Sequence, residues 1–206
     1  RLKANDATTD GNDTDSSAFT IDTKNPVIYS PVGSQTLGTN SVTFSYTLTD
    51  LSNATVEINI SEDSGGTWTV ASSTVTGNVG ADITPGSKTI TWDAGTDFNN
   101  EDQSDMKTQI RALDAFGNQG SYIESSDFAL DTANPTVSNV SASQDSGANT
   151  VTITYDLADT NNSTVEIDIS EDGGVTWDVT DTSVIGDIGA GVISGNGKSI
   201  TWDASV

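Results

Sequence analysis

Histidine and cysteine are missing altogether, cations are scarce, and long apolar runs do not occur. The chain has 206 residues with no His, no Cys, one Met and only 7 Lys plus Arg. Without imidazole there is no histidine base and no His-ligated metal. Without thiol there is no thiolate nucleophile, no disulfide and no cysteine-held zinc. So few cations cannot neutralise a row of phosphates, which argues against a nucleic-acid partner. No stretch approaches the roughly 18 apolar residues of a membrane helix. Catalysis would have to run on carboxylates and hydroxyls alone. With 30 acids in the chain, close carboxylate pairs carry no signal of glycosidase-type chemistry. No catalytic residue, and no enzyme, is expected.

What is abundant is acid and hydroxyl. The formal net charge is -23, and Ser and Thr together make 57 residues. Low hydrophobicity with high charge is a signature of disorder, but the pattern along the chain opposes it. SVTFSYTLTD, ATVEINISED, KTITWDAG and TVTITYDLAD alternate apolar and polar at period two, and Gly, Asn, Asp or Pro bound them. That is the half-buried strand signal. No window of ten or more residues has helical periodicity, so the chain reads as all-β.

The chain also repeats itself. Asn40 to Trp68 aligns without gaps on Asn149 to Trp177, an offset of 109, with 18 of 29 positions identical. KTITWDA (88–94) recurs as KSITWDA (198–204), and DTKNP (22–26) as DTANP (131–135). A period near 109 is the size of one sandwich domain and too long for a solenoid repeat or a propeller blade. RLKANDATTDGNDTDSSAFTID (1–22) matches RALDAFGNQGSYIESSDFALD (111–131), the end of a repeat. The expected organisation is therefore a terminal hairpin at 1–22, a complete unit at 23–132, and a unit at 133–206 without its last hairpin.

Alternation maps the complete unit onto strands at 26–36, 41–50, 54–63, 66–75, 88–94, 107–114 and 121–131. Inward positions are Val42, Phe44, Tyr46, Leu48, Val56, Ile58 and Ile60. Trp68, Val70, Ile90, Trp92, Ile110, Ala112, Phe128 and Leu130 complete the set. Seven short strands joined by tight turns predict tandem immunoglobulin-like or fibronectin type III-like β-sandwiches. Trp68, Trp92, Trp177 and Trp202 are all expected in cores rather than as sugar-stacking platforms. In the incomplete unit Val151, Ile153, Tyr155 and Leu157 are expected to be exposed.

Two resemblances extend this. RALDAFGNQG and SSDFALDTANP resemble the ends of bacterial Ig-like repeats, with D-x-x-G-N, then F-x-I/L-D-T and a following Pro. That resemblance implies large modular extracellular proteins, such as adhesins, stalks, filaments and surface arrays, often stiffened by calcium at their junctions. SEDSGGTW (61–68) and SEDGGVTW (170–177) resemble the Asp-box, S-x-D-x-G-x-T-W. Its residues here are Ser61, Asp63, Gly65, Thr67 and Trp68, then Ser170, Asp172, Gly174, Thr176 and Trp177. The Asp is expected to accept from turn amides while Gly takes a positive φ and Trp packs beneath. Asp-boxes are well known in sialidase propellers. However, these two lie 109 residues apart, and Arg1 and Arg111 are the only arginines. The boxes are accordingly read as hairpin staples.

Calcium is the one ligand expected, since a hard cation takes six to eight oxygens from carboxylates and carbonyls. The strand map gathers acids at the two ends of the unit. Asp131 should meet Asp97, Glu101, Asp102 and Asp105 of its own unit and Asp159 of the next. Asp22 should meet Asp50 and Asp114 at the other end. The function expected is a structural or adhesive extracellular protein of stacked modules, with copies of itself as partners. Residues 1–22 would complete a 133–206 unit head to tail, either along one longer continuous repeat chain or between separate copies, giving a filament unless the rotation closes. The alternative is a carbohydrate-binding accessory module of a larger secreted protein.

Overall fold

The structure is a computed structural model that describes residues 1–2 and 13–205. It is all-β with antiparallel sheets. A four-residue helix is the sole helical element among the described residues.

The first unit contains β1 (Val27–Gln35), β2 (Ser41–Thr49), β3 (Ala54–Ser61), β4 (Thr76–Gly77), β5 (Gly80–Ile83) and β6 (Gly86–Asp93). After the helix α1 (Ala94–Asp97) come β7 (Asp102–Asp114), β8 (Ile123–Glu124) and β9 (Phe128–Asp131). One sheet runs β1-β2-β6-β4, and the other β5-β3-β7-β8 with β9 added along β7. Each strand turns alternate side chains inward. Val42, Phe44, Leu48, Ile90 and Trp92 from the first sheet meet Val56, Ile60, Met106, Ile110 and Leu130 from the second in one buried cluster. Phe44 stacks on Trp92 and takes Phe128 edge-on at a centroid distance of 5.8 Å.

The second unit contains β10 (Thr136–Gln144), β11 (Thr150–Ala158), β12 (Ser163–Val165), β13 (Val184–Gly186), β14 (Gly189–Val192) and β15 (Gly195–Asp203). Its sheets run β10-β11-β15-β13 and β12-β14 around a smaller core of Ile153, Tyr155, Leu157, Val165, Val192 and Ile200. The repeat is structural down to its irregularities. β1 bulges between Tyr29 and Val32 with Ser30 at φ 48°, and β10 bulges between Ser138 and Ser141 with Asn139 at φ 51°. The Tyr46 hydroxyl donates to the Asn78 carbonyl at 2.5 Å, and the Tyr155 hydroxyl does the same to the Asp187 carbonyl.

Several expectations need correction. Residues 66–75 form no strand: after the Asp-box turn only an isolated Val70–Ile60 bridge remains, because β5 has taken the free edge of β3 at Ala54 and Val56. The strand expected at 107–114 starts earlier: β7 begins at Asp102, which pairs with Asp131, so Asp102 and Asp105 stand on a strand. Ile153, Tyr155 and Leu157 are buried and Val151 half-buried, because β12 and β14 already cover that part of the face. Of the four tryptophans only Trp92 is fully buried; Trp68 and Trp202 are half-buried, and Trp177 is 61 % exposed. Of the terminal hairpin expected at 1–22, residues 3–12 lie outside the described residues. The rest shows a Leu2–Thr14 bridge and an exposed stretch to Ile21.

Candidate cation site at the entrance to the first unit

Asp22 lies five residues before β1, Asp50 follows β2, and Asp114 ends β7. Antiparallel order brings these three chain positions to one end of the unit. Each carboxylate offers an oxygen within 4.8 Å of the others. The Asp114 carboxylate accepts from the backbone amides of Phe116 and Asn118 at 2.9 and 2.8 Å and from Asn118 Nδ2 at 2.7 Å. Burial pushes its pKa up, but these donors outweigh burial and hold it below the ordinary carboxylate value. Asp50 Oδ2 accepts from the Ser52 amide and hydroxyl. Asp22 Oδ1 accepts from the Lys24 amide at 3.0 Å, and Asn118 Nδ2 also reaches the Asp22 carbonyl.

Asp22 Oδ2 is the exception. The residue is 8 % exposed, and this oxygen is buried with no hydrogen-bond partner. A buried acceptor left unmatched is costly, more so when charged and beside two further carboxylates. Among the described residues none of the three acids forms an ion pair. Oxygen-only donors and concentrated negative charge fit a hard cation such as calcium, and do not fit a soft one.

The acids at the other end of the unit do not form such a group. Among the described residues the metal-like cluster is confined to Asp22, Asp50 and Asp114. Asp97 turns into its own unit, accepting from Ser73 Oγ at 2.5 Å, the Thr74 amide at 3.0 Å and Trp92 Nε1 at 2.9 Å. Glu101 and Thr132 exchange backbone and hydroxyl bonds, and the Asp105 carbonyl accepts from the Ser64 amide. Asp159 accepts from Ser163 Oγ at 2.8 Å. Asp131 and Asp102 do reach the second unit, but through neutral donors: Asn161 Nδ2 lies 2.6 Å from Asp131 Oδ2, and the Thr160 hydroxyl donates to Asp102.

Both Asp-box sequences form the stapled turn. Ser61 Oγ accepts from the Asp63 and Gly65 amides while donating to Asp63 Oδ1. Asp63 also accepts from the Thr67 amide at 2.7 Å and the Thr67 hydroxyl at 3.0 Å. The same bonds recur from Ser170 and Asp172 to Gly174 and Thr176, with the Val175 amide added. Gly65 and Gly174 stand at φ 91° and 90°, which only glycine adopts without strain.

Comparison of the chain with protein families, curated proteins and solved structures returns no match.

Proposed function

We propose that the chain is an extracellular structural protein whose Ig-like, fibronectin type III-like units stack head to tail into a stalk, filament or surface array. Calcium at Asp22, Asp50 and Asp114 would set the angle at which each unit enters the stack. The observation that carries this is the position of the acid triad. It ties the residue leading into a duplicated unit to two turns at that unit's end. A cation bound there fixes the joint and offsets part of the self-repulsion of a chain at net charge -23.

The test is thermal melting with calcium and with chelator at fixed ionic strength, together with imaging of the particles. A site held at one hundred times its Kd adds about 2.7 kcal/mol, so calcium should raise Tm and straighten or lengthen the particles. Asp22→Asn should reverse sign. Without calcium it relieves repulsion and raises Tm; with calcium it removes a ligand and lowers Tm relative to the parent chain. Identical melting in both conditions, for both proteins, would remove calcium from the proposal. Isolated single particles under every condition would remove the stack.

A second reading rests on Trp177, whose exposed ring could stack on a sugar in a carbohydrate-binding module. Titration of the chain with soluble oligosaccharides, followed by tryptophan fluorescence, tests it: saturable quenching that Trp177→Ala removes would favour this reading.

A further inference from the structure

The second unit carries an apolar groove lined by Val137, Val140, Ile153, Val165, Ile167 and Ile200. The first unit shows what belongs there. Val137 and Val140 occupy the repeat positions of Ile28 and Pro31, which are buried, yet they are 50 % and 66 % exposed, and every residue of β10 is exposed. In the first unit β7 and β8 lie beside β1, and β9 covers its Gly33–Gln35 end. The Phe128 ring lies so close to Gly33 that a Cβ there would fall 2.6 Å from it, and Leu130 is fully buried. Gln35 clamps the end of β9: its Nε2 donates to the Asp131 carbonyl at 2.6 Å and its Oε1 accepts from the Asp131 amide at 2.8 Å.

The sequence covering β1 is SSDFALD (125–131), and the chain holds a second version of it, SSAFTID (16–22). In that version Phe19 and Ile21 stand where Phe128 and Leu130 do, and they are 75 % and 70 % exposed. Gln144 stands at the position of Gln35. It makes the equivalent turn bond to the Ala148 carbonyl at 2.7 Å, as Gln35 does to Thr39. We propose that residues 16–22 of a second copy dock along β10 in the manner of β9. Phe19 and Ile21 cover the Ala142–Gln144 end of the groove, with the Phe19 ring toward Ile153, and Gln144 clamps the backbone of Asp22. One exposed segment with two apolar side chains and one exposed apolar groove then cover each other.

The fit differs from the first unit in a compensating way. Ala142 replaces Gly33 and adds a methyl group where the ring would sit, while Ile153 replaces Phe44 and opens space beneath it. The docked Phe19 ring therefore sits deeper, toward Ile153. Asp22 serves both sides: its backbone is held by Gln144 of the copy that presents β10, while its carboxylate stays in the triad of its own unit. Because both partners are acidic, the contact strengthens as salt rises through the range where surface repulsion is screened.

This inference rests on the head-to-tail stacking proposed above, and the test separates the two. Because the chain has no cysteine, thiols can be placed cleanly. One full chain carries Thr20→Cys, beside the anchor ring, another Ala142→Cys, and a control carries Leu37→Cys in the exposed turn before β2. The Thr20→Cys and Ala142→Cys chains, mixed and treated with a short bis-maleimide, should give a covalent heterodimer at several-fold higher yield than Thr20→Cys with Leu37→Cys. Sedimentation velocity of the cysteine-free chain should show concentration-dependent association that Phe19→Ser or Gln144→Ala weakens. Equal yields in the two mixtures while imaging still shows stacks would overturn the docking and leave the stacking intact. A chain that stays monomeric, with no preferred cross-link and no stacks, removes both. A Thr20→Cys/Ala142→Cys double variant that closes within a single chain removes the two-copy contact.

Discussion

The two units differ less in sequence than in what covers them. In the first, β3 runs eight residues because β7 pairs with it from Ala54 to Ser61. In the second, no counterpart of β7 to β9 is present among the described residues. The equivalent strand β12 shrinks to three residues, although Glu166 to Ser170 largely repeats the β3 sequence. Strand propensity alone does not make a strand; a hydrogen-bonding neighbour does. The same absence explains Trp177. Trp68 lies against Gly65, beside Lys107 of β7 and Glu124 of β8, whereas Trp177 has only its own turn and stands in solvent.

The largest effect that would sharpen this comparison comes from truncating matched apolar residues on β9 and on the terminal segment that repeats its sequence. Leu130→Ala removes a fully buried side chain from the first core and should cost about 2–5 kcal/mol in urea unfolding. Ile21→Ala, at the repeat-equivalent position, should change the unfolding of dilute chains by no more than about 0.5 kcal/mol, because nothing covers it. If both cost the same in dilute solution, residues 13–22 are buried within their own chain and the contrast between the units is wrong.

Much of this was legible in the alternation. Phe44, Leu48, Ile58 and Ile110 were read inward and are buried, since period two along a strand fixes which face meets the opposite sheet. The grouping of Asp22, Asp50 and Asp114 was also readable, because strand order alone places those three chain positions at one end. Thr67 to Val70 misled. Their alternation is genuine, but a hydrogen-bonded Asp-box turn uses up Thr67 and Trp68, and β5 already occupies the Ala54–Val56 end of β3. Asp97 was assigned to a junction when it serves the Trp92 indole. No spacing rule connects a helix-end acid to an indole N–H five residues back. Alternation places Trp68 and Trp177 inward, but neither is core: Trp68 is half-buried even beside β7 and β8, and Trp177, without such neighbours, stands in solvent.

Acid provides the next, smaller contrast. Burial raises the pKa of Asp97, but Ser73, Thr74 and Trp92 more than reverse that and hold it at about 2. The folded value lies below the unfolded carboxylate value of about 3.9. The stabilisation is therefore complete above that value and is lost as pH falls toward about 2. Among the described residues Trp202, the counterpart of Trp92, has no such acceptor. Acidification from about pH 4 to about pH 2 should therefore release Trp92 and shift its emission, and Asp97→Asn should flatten that step. A step of unchanged size in Asp97→Asn would show that Asp97 does not hold the indole.

The smallest contrast lies between the two Asp-box turns, which share bonds but not support. The Asp172 pKa is lowered to about 2, chiefly by the Thr176 amide and then by the Ser170 and Thr176 hydroxyls; that of Asp63 is lowered chiefly by Ser61 and then by the Thr67 amide. Both carboxylates are exposed, so water screens most of their worth and neither change should unfold the chain. Support from outside the turn differs. The Ser64 amide donates to the Asp105 carbonyl at 2.9 Å, and the Ser64 hydroxyl to Asp127 at 2.9 Å, which pins the first turn to β7 and to the residue before β9. Asp63→Ala should then speed amide exchange at Gly65 and Thr67 while leaving Ser64 protected. In the second turn the staple is the main restraint, so Asp172→Ala should release the amides of Gly174, Val175 and Thr176 together. Acidification through the same range should imitate each substitution, since protonation removes the charge that accepts these bonds. Equal and turn-wide acceleration in both variants would mean that β7 lends the first turn nothing, and the difference between the covered and the uncovered unit would stop at the sheet edge.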